Sequence, residues 1–164
     1  MLISSTIQKE IPENLPFAVF GGGCFWCVES EFRRMEGVVY TICGYEGGHT
    51  KNPSYQDVCT GQTGHAEVTK IYFDPAILSY HGLVTHFLTL AHDPTEVNRQ
   101  GVDIGTQYRS VIFHTDDIQK SEAQKAIDEV QKSGQRKKPI ATQLLPHSIF
   151  WEAESYHQQY YEKF

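Results

Sequence analysis

Two cysteines three residues apart, Cys24 and Cys27, stand directly after three glycines in the stretch Gly21-Gly22-Gly23-Cys24-Phe25-Trp26-Cys27-Val28-Glu29. The apolar run Phe17 to Phe20 precedes the glycines and helical spacing follows them, which predicts a strand, a sharp turn and a helix starting at Cys24. At a helix start, unpaired backbone N–H groups and the positive end of the dipole favour a thiolate. The Cys24 thiol is therefore expected below its ordinary pKa of about 8.5. Cys27 shares the helix face at a separation a disulfide can bridge, so the pair reads as nucleophile and resolver. The alternative is two small buried thiols. Three successive glycines argue against it, because they imply backbone that turns sharply or lies close to a ligand.

A second candidate is Glu67, in Gly64-His65-Ala66-Glu67 at the start of a predicted strand. Exposed, it would be ordinary surface charge. Held beside Phe25 and Trp26, it would lose solvation on ionising, its pKa would rise, and it would keep a proton to donate at neutral pH. A metal centre is not expected: the chain has no second CxxC and no HExxH, and its eight histidines form no ligand spacing.

The elements that must position these residues follow from pattern. The 164 residues fit one domain, read as an N-terminal arm over 1–16 and a catalytic domain over 17–164. A net charge of −6 argues against a nucleic-acid partner. No window approaches the roughly 18 apolar residues of a membrane span, and no signal peptide is evident, so the expected location is the cytoplasm. Strands are predicted over Phe17–Phe20, Val38–Tyr45, Ala66–Phe73, Tyr108–His114 and Ile140–Leu145. Helices are predicted from Cys24 to the Gly37 stop, after the Ser79 cap, and over Asp116–Ser133 with Ile118, Ala126, Ile127 and Val130 inward. Loop 47–65 is longer than an ordinary connection, which implies a binding loop or disorder, and its Tyr55 and Val58-Cys59 disfavour disorder; loop 94–105 is dense enough in hydrogen-bonding groups to belong to a site. The order β-α-β-β-α-β, with an added helix and strand, predicts an α+β two-layer sandwich with a ferredoxin-like core. The aromatic tail from Phe150 to Tyr161 is expected to pack on it.

Seven motifs, in order, carry a resemblance. They are Gly23-Cys24-Phe25-Trp26, Gly44-Tyr45-x-Gly47-Gly48, Asn52-Pro53-x-Tyr55, Gly64-His65-Ala66-Glu67-Val68, His92-Asp93-Pro94, the run from Asn98 to Ser110, and Tyr156-His157-Gln158. Together they resemble peptide methionine-S-sulfoxide reductases of the A type over residues 17 to 163. The resemblance implies that Cys24 attacks the sulfoxide sulfur while Phe25 and Trp26 receive the substrate's ε-methyl group. It also implies that Glu67, with the phenols of Tyr55 and Tyr108, polarises the sulfoxide oxygen, and that Asp103 helps the polar network. The substrates so implied are proteins and peptides containing methionine-S-sulfoxide, and the free amino acid, with no bound cofactor and thioredoxin or another dithiol as electron donor.

Many relatives place recycling cysteines in a C-terminal tail and have Gly at the position of Cys27. Here no cysteine follows Cys59, so Cys27 is the expected resolver, and Cys43 and Cys59 are expected to be structural. A general thiol-disulfide oxidoreductase would share the CxxC but leave Glu67, the aromatic pair and the polar loop without a role. A metal-binding module and a non-catalytic peptide-binding domain are weaker alternatives.

Overall fold

The computed structural model describes residues 14–163, so the arm read over 1–16 lies outside the described residues except for its last three. Within that range the chain forms a mixed α/β fold with four α-helices and a central mixed sheet. Strands β1 (Phe17–Gly21), β2 (Val38–Glu46), β3 (Ala66–Phe73), β6 (Val111–His114), β7 (Gln143–Pro146) and β8 (Trp151–Glu152) stand in the order β7-β6-β1-β3-β2-β8. All neighbours are antiparallel except the parallel pair β6 and β7. A separate two-stranded hairpin joins β4 (Arg99–Gln100) to β5 (Asp103–Ile104).

Alternation along the strands decides where the helices go. Ala18 and Phe20 of β1, Ile71 and Phe73 of β3 and Ile112 of β6 share one face. They pack against Val28 and Phe32 of α1 (Phe25–Arg33), Leu83 and Val84 of α3 (Tyr80–His86), and Ala123, Ala126 and Val130 of α4 (Asp117–Ser133). Val19, Ala66, Val68, Val111 and Phe113 form the cluster on the opposite face, where Phe17 and Phe150 cover them.

The structure corrects several sequence expectations. The loop 47–65 contains a short helix, α2 (Tyr55–Cys59), which Ser54 and Asp57 start with a reciprocal capping box. The fourth strand begins at Val111, because Thr106–Tyr108 is a 3-10 turn. Ile118 points outward at 74% exposure, since Asp116 is the helix cap and the inward stripe of α4 begins at Gln119. No helix among the described residues is long and apolar enough to cross a membrane.

Candidate functional site

Cys24 is the N-cap residue of α1, with extended backbone (φ −65°, ψ 126°) and no capping bond from its own side chain. Each glycine before it is needed for a different reason. A Cβ on Gly21 would lie 2.7 Å from the Glu67 carbonyl, and one on Gly22 would lie 2.5 Å from the His92 ring. Gly23 has φ +83°, a left-handed conformation that disfavours a side chain, and its N–H donates to the Tyr108 carbonyl at 3.1 Å. The His92 ring has nowhere to move, because its nitrogens bond the Phe87 carbonyl (2.8 Å) and Ser110 Oγ (2.7 Å). Gly22→Ala is expected to destabilise the fold by about 1–3 kcal/mol, read as a lower urea midpoint; an unchanged midpoint would show that the turn can yield.

Glu67 lies at the second position of β3, 2% exposed. Its Oε1 accepts the Phe25 N–H at 3.2 Å, so the carboxyl caps the first turn of α1. Its Oε2 is buried and has no partner among the described residues. The carboxyl is raised to about 8, first by burial and then by the nearby charges of Asp103 and Cys27, with the Phe25 N–H opposing them. Glu67 therefore holds its proton at neutral pH.

The stability consequence has a definite sign. Because the folded pKa lies above the unfolded one, the contribution is fully present below about pH 4.5 and is lost as pH rises through about 8. Stability of the native chain, relative to Glu67→Gln, is expected to fall between those limits by at most about 1.4 kcal/mol per pH unit. Denaturation curves at three pH values measure this, and parallel pH dependences would refute the neutral carboxyl.

The two thiols reverse one expectation. Cys24 is half-buried and Cys27 exposed, and neither is in a disulfide. The Cys24 thiol is raised, first by its hydrogen bond with Cys27, then by burial and the Glu67 carboxyl, although the Trp26 N–H still favours its thiolate. Cys27 is lowered to about 6, first by the same hydrogen bond, with help from the Tyr161 hydroxyl 3.6 Å from its sulfur. The two thiols therefore titrate as one hydrogen-bonded pair, whose first proton leaves below the ordinary thiol range. The helix N-terminus that was expected to ionise Cys24 spends its first N–H on Glu67.

Phe25 is buried, with Cys43, Tyr45 and Val58 as its buried cluster and Trp26, Tyr55 and Trp151 at the margin. Trp26 stacks on Tyr160 with ring centroids 3.7 Å apart, and its indole N–H donates to His157 Nδ1 at 3.1 Å. Tyr55, at the start of α2, lies over Phe25 (6.4 Å) and His157 (4.5 Å). Burial and the Glu67 charge raise the Tyr55 phenol, and the same causes push Tyr108 up to about 12. Asp103, on β5, is close enough for its charge to raise both Glu67 and Cys27. The structure thus gathers Cys24, Phe25, Trp26, Cys27, Tyr55, Glu67, Asp103 and Tyr108 at one end of the sheet. No group of three or more His, Cys, Asp or Glu side chains among the described residues could hold a metal ion.

Sequence reasoning overlooked the buried scaffold beneath α1. Glu29, 1% exposed, accepts from Thr41 Oγ1 (2.8 Å), the Gln159 N–H (2.8 Å), Gln159 Nε2 (3.1 Å) and the Cys43 thiol (3.4 Å). Gln158 bonds both the N–H and the carbonyl of Cys43, extending the β2 edge with a side chain. These bonds seat the tail so that His157 and Tyr160 meet Trp26. A signal for Glu29 existed: it falls on the Phe25, Val28, Phe32 stripe, where a carboxylate must find partners. Cys59 is exposed, and it hydrogen-bonds Tyr55.

A hydrogen-bonded thiol pair at a helix start, facing a neutral carboxyl and two phenols, defines a thiol-based oxidoreductase site. The family model described as "Peptide methionine sulfoxide reductase" matches residues 17–164. A peptide methionine sulfoxide reductase MsrA of Methanoculleus marisnigri is 53% identical over 151 residues, covering 92% of each chain. One of Geobacter sulfurreducens is 51% identical, again covering 92% of each. Among solved structures, reduced Mxr1 of Saccharomyces cerevisiae superposes with a TM-score of 0.86 at 34% identity, over 93% of this chain and 87% of that one. Mxr1 in complex with Trx2 shares the fold with a TM-score of 0.64 at 23% identity, over 92% of this chain and 87% of that one. The chain belongs to the peptide methionine sulfoxide reductase family, A type.

Proposed function

We propose that this protein reduces the S epimer of methionine sulfoxide, in oxidised proteins and as the free amino acid, and so repairs methionine oxidation in the cytoplasm. The observation that carries the reading is the buried carboxyl of Glu67, neutral at pH 7, with Oε2 unpartnered among the described residues beside the Cys24 helix start. A sulfoxide sulfur becomes electrophilic when its oxygen is hydrogen-bonded or protonated. Glu67 supplies that proton, the Tyr55 and Tyr108 hydroxyls bond the same oxygen, Asp103 orders the polar side, and Phe25 and Trp26 take the methyl group.

Cys24 attacks the sulfoxide sulfur, and its proton moves along the hydrogen bond to Cys27. The oxygen ends on Cys24 as a sulfenic acid, so the cysteine sulfur loses the two electrons that methionine gains. Cys27 then displaces water to form the Cys24–Cys27 disulfide, and a dithiol reduces it. Thioredoxin is the dithiol this reading names, in keeping with the solved complex of yeast Mxr1 with Trx2. The four strands β6-β1-β3-β2 with α1 and α3 are read as a ferredoxin-like core.

The test is methionine formed per enzyme from each epimer, without reductant and with thioredoxin. The native chain is expected to cycle on the S epimer with thioredoxin, and Cys27→Ser to release about one methionine and stall. Sustained turnover by Cys27→Ser would remove Cys27 as the resolver, and no methionine from the native chain would end the reading.

A further inference from the structure

The hairpin β4–β5 turns one face to the site and the other to solvent. Its register pairs Gln100 with Asp103 and Arg99 with Ile104. Gln100 packs on the glycine turn, where a Cβ on Gly23 would lie 2.9 Å from its Cβ and Cγ, and the Asp103 charge reaches Glu67 and Cys27. Cross-strand partners share a face and successive residues do not, so Arg99 and Ile104 face the other way. Ile104 is 68% exposed, and Val102, in the two-residue turn Gly101-Val102, is 93% exposed. These apolar side chains stand on braced backbone. Gln100 bonds the N–H and the carbonyl of Asp93 (3.0 and 2.5 Å), the Gly101 N–H donates to Glu96 Oε1 at 2.9 Å, and Gly101 takes the first turn position with φ +58°. The outer edge of β5 has no strand partner among the described residues. The Gly105 N–H donates to the Asn98 carbonyl at 2.9 Å, which makes Arg99 and Ile104 a non-hydrogen-bonded pair and turns the Ile104 N–H and carbonyl toward that open edge.

Resting on the reading of the site as one that reduces methionine sulfoxide in proteins, we propose that the substrate polypeptide binds as a short strand along the outer edge of β5, with the residues flanking the sulfoxide packed on Val102 and Ile104. Alternation selects this occupant. A residue placed opposite Asp103 shares its face and points toward the site, whereas its two neighbours share the face of Ile104. The Ile104 N–H and carbonyl hold the added strand through its main chain, which any sequence supplies, and the exposed aliphatic side chains favour apolar neighbours on either side of the oxidised methionine. Because the hairpin is already braced, the ordering cost falls on the substrate alone. The substrate class is therefore an extended segment, since a sulfoxide inside an intact helix has its main-chain groups already paired.

KM and kcat are measured with thioredoxin for a capped single methionine-S-sulfoxide, for an unstructured peptide with valine on both sides of the sulfoxide, and for the same peptide with serine there. The valine peptide is expected to have the lowest KM. The double variant Val102→Ser, Ile104→Ser is expected to raise that KM about tenfold, leaving kcat and the capped residue unchanged. N-methylation of the backbone amides on both sides of the sulfoxide residue is expected to raise KM of the native chain by a similar factor. An unchanged KM for the valine peptide, in the double variant or after methylation, overturns the proposal, and so does an equal loss on the capped residue. If the double variant instead raises KM for thioredoxin, or dissociates a dimer, with the valine peptide unaffected, the edge belongs to the reductant or to a second copy and the proposal also fails. No methionine from any of these substrates with the native chain would reject the underlying reading.

Discussion

Cys24→Ser is expected to abolish methionine formation, lowering single-turnover release by at least about 10⁴-fold. The size follows from chemistry rather than packing. Cys24 sits half-exposed at a helix cap, so exchanging sulfur for oxygen leaves the fold and the Glu67–Phe25 bond in place. What disappears is the atom that bonds to the sulfoxide sulfur and accepts its oxygen, and a hydroxyl neither ionises near neutrality nor forms a sulfenic acid. Release of methionine from an S-epimer peptide, counted per enzyme with folding checked by circular dichroism, measures it. Residual release within tenfold of the native chain would assign the attack to another thiol.

Glu67→Gln carries the second largest expected effect, a fall of about 10²–10⁴-fold in the same single-turnover rate. The amide keeps an oxygen to accept the Phe25 N–H but has no acidic proton for the developing oxygen charge. The pH profile separates proton donation from positioning. The native rate requires protonated Glu67, so it is expected to fall as pH rises through about 8. It also requires one thiolate in the cysteine pair, so it falls as pH drops through about 6. In Glu67→Gln the alkaline decline should vanish while the acid decline remains. An alkaline limb that survives the substitution would place the titrating acid elsewhere.

The local pattern made much of this site legible. Phe17–Phe20, the glycines and the helical spacing after Cys24 encode a strand, a tight turn and a helix in one short stretch, and β3 begins where its alternation predicts. Glu67 could be singled out because a carboxylate beside an aromatic wall has only one physical consequence when buried, a raised pKa. Less legible were features that depend on distant chain segments. The pKa order of the two thiols follows first from the hydrogen bond between them, with Glu67 from β3 raising Cys24 and Tyr161 from the tail lowering Cys27, and helix position alone gives the opposite answer for Cys24. Glu29 and Gln158 are likewise understood only once the tail lies against α1, since their partners are 12 to 130 and 5 to 115 residues away. Ile118 shows the converse error, an apolar residue assigned inward although its place in the first turn of α4 faces solvent.

The most direct test of the account is the mass of the Cys24-containing peptide after one turnover of Cys27→Ser with an S-epimer sulfoxide and no reductant. The account predicts one added oxygen on Cys24, matched mole for mole by released methionine. Methionine released while Cys24 stays unmodified, or an oxygen found on Cys59 or Cys43 instead, would contradict it.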